Sequence, residues 1–205
     1  MNRRDALKRA AMISGFAVSG SLVSAVMQGC QEVDTSPDWT PEFFTPEEGE
    51  KLGALAEAIL PRTDTPGAKD VFVDRYIDMI TKNCMTEAEQ QRMKQGIAEL
   101  YDAYEESGGK AFIEASSEEQ LGYLQKVEMD ARQIAADAGN IQQPDSEEER
   151  LNRRPFLPDF KNLVIAGYFT SEEVGTNVLP YDPVPGEWIP CGDLQELTGG
   201  KLWSL

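Results

Sequence analysis

PFLPDFKNLVIAGYFTSEEVGTNVLPYDPVPGEWIPC, residues Pro155–Cys191, begins as a helix and ends as something a helix cannot be. Phe156, Phe160, Leu163, Val164, Gly167 and Tyr168 recur at three- and four-residue spacing. That spacing predicts one apolar helix face. Ser171, followed by Glu172, Glu173 and Gly175, reads as a short capped turn. Then Pro180, Pro183, Pro185 and Pro190 remove backbone donors and fix φ, so neither a helix nor a central strand continues. The arm is nevertheless apolar: Leu179, Tyr181, Val184, Trp188 and Ile189 are large groups that need a surface. That surface is either the chain's own helical body or a partner.

Outward from this stretch, the chain repeats one signal: a cap, an acidic first turn and an apolar face. Thr45-Pro46-Glu47-Glu48 predicts a capping box with proline at the first helical position. Leu52, Leu55, Ala56, Ile59 and Leu60 follow as its face, and Pro61 ends it. Arg62 to Ala68 reads as a tight loop in which Thr63, Asp64 and Thr65 can bond nearby backbone. Asp70 is the expected cap of a second helix carrying Phe72, Val73, Tyr76, Ile77 and Ile80. Thr86 and Glu89 repeat the box before Met93, Ile97, Leu100, Tyr101 and Tyr104, and Gly108-Gly109 closes that helix. Ser116 or Ser117 caps a fourth, with Leu121, Leu124, Val127 and Met129. No segment alternates with the period of a strand. The fold class is therefore all-α: a small bundle of four to five helices with an extended Pro-rich C-terminal arm. The expected division is 1–30 signal, 31–44 tether, 45–175 helical domain and 176–205 arm.

The first thirty residues read as an export signal. Arg3 and Arg4 are paired, Leu7 and Lys8 follow at twin-arginine spacing with Ala6 where phenylalanine is usual, and Ala10 to Val26 is uncharged. Serines and glycines dilute that run, which makes it a poor permanent span. Gly29-Cys30 resembles a lipoprotein cleavage box, which makes Cys30 the candidate lipidation site and membrane anchor. The expected location is periplasmic, reached by the twin-arginine route and held at the membrane.

Acidic residues outnumber basic ones 36 to 19. Removing residues 1–29 takes away four basic residues and one acidic residue, leaving 15 against 35, a formal charge of −20. Such a field repels nucleic acid and anionic headgroups. The chain contains no histidine, the usual general base and metal ligand. Cys30, Cys84 and Cys191 are too few and scattered for an iron–sulfur or zinc site. There is no dinucleotide fingerprint, P-loop or nucleophile elbow. In an oxidising compartment Cys84 and Cys191 have three fates: a bridge to each other, a bridge from Cys191 to a partner, or free thiols.

Three patches, taken in order, resemble one family. They are Ile59-Leu60-Pro61 running through Thr63-Asp64-Thr65-Pro66-Gly67-Ala68 to Ile77, then Phe156 to Glu172 with Gly175, then the Pro185-Gly186 arm ending near Cys191. The chain is similar, over about residues 45–195, to the small subunit 3 of gluconate 2-dehydrogenase-type flavin dehydrogenases. The resemblance implies a non-catalytic accessory subunit without a cofactor of its own. It implies FAD in a large, GMC-type sugar or polyol dehydrogenase partner, and in some relatives a cytochrome c subunit as well. Folded export by the twin-arginine route suits a subunit that carries such a flavoprotein across as a passenger. On this reading Tyr168, Phe169, Tyr181 and Trp188 are candidate interface aromatics. Ser171, Glu172, Thr63, Asp64 and Thr65 are scaffold first and partner contacts second. The competing expectation is a stand-alone exported lipoprotein that binds a ligand or works through carboxylates.

Overall fold

The computed structural model describes residues 39–108, 110–138, 149, 151, 153–182, 186 and 191–203, all within the unit Asp34–Leu205. Arg3, Arg4, Cys30 and Trp188 lie outside the described residues. No strand occurs among those described, so the chain is all-α as its periodicity predicts. Helix α1 spans Pro46–Ile59, α2 Val73–Cys84, α3 Glu87–Gly108, α4 Ser117–Ala138, α5 Phe156–Phe169 and α6 Leu194–Thr198. A 3₁₀ turn covers Phe112–Glu114 and a π turn Val174–Val178.

The caps explain most boundaries. The Thr45 hydroxyl accepts from the Glu48 N–H at 3.2 Å, and the Glu48 carboxylate accepts from the Thr45 N–H at 2.8 Å. Pro46 has no N–H, so two of the three orphan amides of α1 are thereby satisfied. Thr86 with Glu89, and Ser116 with Glu119, build the same reciprocal pair ahead of α3 and α4. Helix α2 departs from expectation. Asp70 does not cap it, because the helix starts at Val73, too far along for that carboxylate to reach its free amides. The preceding residue, Phe72, sits at φ 56° with no side-chain cap.

Helix α5, read from the opening stretch, is the hub: it packs against α1, α2, α3 and α4. It is apolar on most of its circumference, as a central helix must be. Phe160 and Val164 are wholly enclosed, among Leu52 and Leu55 of α1, Val73 and Ile77 of α2, and Met93 and Ile97 of α3. Each such side chain stabilises the fold by about 1.5–3 kcal/mol. Phe112, on its 3₁₀ turn, plugs an aromatic cluster, with the Tyr101 and Tyr104 ring centroids 5.1 and 5.2 Å away. Helix α4 buries Leu124 and Ala131, whereas Leu121 and Met129 are exposed, so its inward stripe is narrower than its apolar content implies.

The N-terminal strip before α1 is held on α2. The Asp78 carboxylate, only 2% exposed, accepts the N–H groups of Glu42 at 2.8 Å, Phe43 at 3.1 Å and Phe44 at 3.0 Å. One turn away, Lys82 pairs with Glu42. One turn the other way, the Arg75 guanidinium lies 5.1 Å from the Trp39 ring centre and 4.2 Å from that of Phe72. Residues 39–44, expected to belong to a tether, are therefore docked on the body.

The arm also differs from expectation. The backbone beyond Ser171 winds into the π turn, with the Leu179 N–H on the Val174 carbonyl at 2.9 Å, before Pro180 stops it. Past the prolines, Asp193 starts α6, because nothing between Asp193 and Gly199 forbids a helix.

Candidate functional site

Two of the sequence patches meet in space. The Tyr168 hydroxyl, at the end of α5, donates to the Pro66 carbonyl at 2.8 Å, across 102 residues of chain. This contact joins the loop 61–70 to the hub helix. Gly167 permits the approach: a Cβ there would lie 2.6 Å from the Tyr76 ring of α2.

The loop is pinned from three sides. Glu57, in the last turn of α1, accepts from the Arg62 N–H at 3.0 Å and the Lys69 N–H at 2.9 Å. Asp70 accepts from the Gly67 N–H at 2.7 Å and pairs with Arg62 at 3.0 Å. The Glu57 carboxylate fills the space a Gly67 side chain would need, 2.4 Å from a built Cβ. A loop this short closes tightly only because two carboxylates take its inward-facing amides. The Thr63 N–H bonds the Thr65 carbonyl at 3.0 Å, which turns Thr63 and Asp64 outward.

The outer wall is a shallow cleft lined by Arg62, Thr63, Asp64, Thr65, Pro66, Asp70, Phe72 and Glu173. Its charges are largely engaged, Arg62 with Asp70 and Glu173 with the Asn177 amide at 2.9 Å. Behind it, against Gly53, lies Asp74, whose pKa burial raises above the ordinary carboxylate value while the Arg75 amide and charge oppose the shift. A second hollow of about 390 Å³ runs between α3 and α5, lined chiefly by Met85, Met93, Phe156, Phe160 and Leu163. Its arginines are paired, Arg92 with Glu99 and Arg154 with Asp159. It suits an apolar side chain rather than a charged ligand.

The other candidates separate. Tyr168 is buried and committed to Pro66, so it is a fastener of the fold rather than an exposed anchor. Phe169 packs edge-on against it at 5.4 Å and stays partly accessible. The Ser171 hydroxyl donates back to the Tyr168 carbonyl at 2.7 Å instead of capping forward, and Glu172 is exposed. That serine is a helix-end fastener with no base beside it to activate it. Tyr181 is exposed, and Cys84 and Cys191 are exposed and unbridged. Among the described residues no three metal-ligating side chains converge, and no helix is long and apolar enough to cross a membrane. The arrangement is a loop pinned between α1 and α5, with Thr63 and Asp64 exposed on its outer side.

Sequence reasoning missed Glu57, Asp78 and Arg75. A signal existed for the first two: each is a lone carboxylate set in an apolar stretch of helix, Ala54–Ile59 and Tyr76–Ile80. A charge in such a place needs local partners.

Comparison with known proteins places the whole site inside one match. A family model described as Gluconate 2-dehydrogenase subunit 3 matches residues 46–186. No curated relative and no solved structure matches the chain.

Proposed function

The chain belongs to the gluconate 2-dehydrogenase subunit 3 family, and from that premise we propose that it is the non-catalytic small subunit of an FAD-dependent sugar or polyol dehydrogenase. The large, GMC-type flavoprotein carries the chemistry. This chain binds it, stabilises it and takes it across the membrane as a folded passenger. The observation that carries the reading is the coincidence of the family match with a pre-built, all-α scaffold. The pinned loop 61–70, the Tyr168 fastener and the α5 hub all lie within residues 46–186. The lack of histidine and of a dinucleotide motif agrees with chemistry residing elsewhere. The paired Arg3-Arg4 and the Gly29-Cys30 junction support twin-arginine export followed by lipid anchoring at Cys30 in the periplasm. A cytochrome c subunit is a further partner on the same reading.

The test is purification of the tagged full-length chain from its native membranes, with mass spectrometry and a visible spectrum. A stoichiometric large protein with a flavin spectrum is expected, and haem bands would add the cytochrome. Recovery of this chain alone, colourless after gentle extraction, would refute the subunit assignment and leave a stand-alone lipoprotein.

A further inference from the structure

We propose that residues 191–203 form a preorganised hook that seats this chain in an apolar groove, rimmed by lysine or arginine, on the large flavoprotein subunit. The inference rests on the accessory-subunit reading above and assigns its interface to a surface other than the loop cleft.

The first observation is exposure. Leu194 is 50% exposed, Leu197 40%, Leu202 70% and Trp203 47%, within ten residues of chain. Leu194 and Leu197 are three apart on α6 and share a face. Covering these four groups removes on the order of 400 Å² of apolar surface from water, about half of what one partner contributes to a standard interface. Single exposed leucines need no explanation, but a cluster with a tryptophan marks a contact site.

The second observation is order. A five-residue helix does not hold itself together. This one is fastened at both ends. The Asp193 carboxylate accepts from the Gln195 and Glu196 N–H groups at 2.9 and 3.1 Å. At the other end Gly199 takes φ 66°, with its N–H on the Gln195 carbonyl at 3.0 Å and the Gly200 N–H on that of Leu194 at 3.3 Å. The buried Thr198 hydroxyl donates to the Leu194 carbonyl at 2.8 Å. Lys201 ties the unit to the π turn through the Val178 carbonyl at 3.0 Å. An exposed apolar segment braced in this way meets a partner with its ordering entropy already spent.

The third observation selects the occupant. Asp193 and Glu196 outnumber Lys201 in the segment, and the whole chain carries −17. A second copy would bring the same charge to the contact, and an anionic bilayer would repel it. A protein groove with a basic rim answers both the leucines and the carboxylates, in the manner of a helix laid in a groove. The hook lies beyond the 46–186 match, so this surface is not part of the matched region.

The test compares full-length wild type, Leu197→Asp/Trp203→Ala and, as an exposed apolar control, Met129→Ala. Each is titrated against the flavoprotein recovered with the wild type. The double variant should bind at least thirtyfold more weakly while its thermal unfolding is unchanged, and Met129→Ala should bind normally. Glu196→Lys should slow association several-fold, with the difference shrinking at high salt. If wild type and double variant bind the flavoprotein equally, the hook is not the interface and the accessory-subunit reading stands. If wild type recovers no flavoprotein, that reading falls and this surface with it. A concentration-dependent dimer abolished by the double variant, or vesicle binding abolished by it, would overturn the proposed occupant in favour of a second copy or a lipid surface.

Discussion

Replacing Asp78 by alanine should detach residues 42–44 from α2 and destabilise the body by about 3–5 kcal/mol. The carboxylate accepts three backbone N–H groups, each a charge-assisted bond worth about 1.5–3 kcal/mol. Their simple sum overshoots for two reasons. Phe43 and Phe44 share one oxygen, Oδ1, and the strip can peel away so that its orphaned amides reach water. Peeling has its own penalty, because it exposes the buried Phe44 ring, worth about 1.5–3 kcal/mol, and parts Trp39 from Arg75. The cheaper route sets the observed loss, which therefore stays at or below the lower end of the sum. Asp78→Asn is the informative companion. One carbonyl oxygen can still serve Phe43 and Phe44, while the amide nitrogen faces the Glu42 N–H, so about 1–2 kcal/mol is expected. Against a typical domain stability of about 5–15 kcal/mol, the alanine variant is a large perturbation and the asparagine variant a moderate one. Urea unfolding of the full chain, followed by circular dichroism, measures both. Hydrogen exchange of the peptide containing residues 42–44 reports where the loss occurs. A change below 1 kcal/mol for alanine, or unchanged exchange in that peptide, would refute the claim that Asp78 holds the strip.

Other positions carry smaller tests. Tyr168→Phe leaves the ring in the core but orphans the Pro66 carbonyl, so about 1–2 kcal/mol should be lost in urea unfolding and the 61–70 amides should exchange faster. Gly96→Ala puts a Cβ 2.2 Å from the Phe156 ring, so α5 must shift away from α3, with about 1–3 kcal/mol lost and a lower melting temperature. At high pH the Tyr101 phenol matters: burial raises its pKa above 10, assisted by Glu50, and its hydroxyl donates to the Lys51 carbonyl. Below pH 10 its contribution is intact; above it the unfolded chain ionises first, so stability should fall by up to about 1.4 kcal/mol per pH unit, and Tyr101→Phe should flatten that slope. At low pH the sign reverses for Glu48. Burial would raise its pKa, but the Thr45 hydrogen bonds and the Lys94 charge outweigh that and hold it below 4.5. Its contribution is therefore present above pH 4.5 and lost as pH falls further, and Glu48→Gln should remove that acid dependence from melting curves.

What the sequence made legible follows the physics of local signals. Two capping boxes, at Thr45 and Thr86, read correctly because their hydrogen bonds lie within four residues, and the cap left open between Ser116 and Ser117 proves to be Ser116, with a box of its own. The α5 face read correctly because a helix apolar at three- and four-residue spacing has few other uses in a chain this size. Asp70 misled because the same residue type caps the helix ahead or takes an amide of the loop behind it, here that of Gly67, and only the start of α2 at Val73 decides between them. Asp78 and Glu57 show in the sequence as carboxylates in apolar stretches, but which segments they hold does not, because their partners are backbone amides, which every residue carries and no letter marks. The arm misled in another way. Pro180 ends the π turn, but the influence of the prolines does not reach residues 193–199, where Asp193 and Gly199 supply caps as good as those of α1.

The displacement of Tyr168 from surface to core changes where a partner can bind. An aromatic whose hydroxyl already has a backbone acceptor, and whose ring is enclosed, has no contact area left to contribute. Its bond to Pro66 instead sets the loop 61–70 against α5, and the backbone leaving α5 winds through Ser171 into the π turn. That turn accepts Lys201 at the Val178 carbonyl, so the hook is seated on a segment whose upstream end is fixed by Tyr168. The residues that make the body rigid and the residues left exposed for contact are therefore different sets, joined by one short piece of chain. The accessory role proposed above calls for this separation: the core must fold before a partner arrives, and the apolar contact groups must stay out of that core until then.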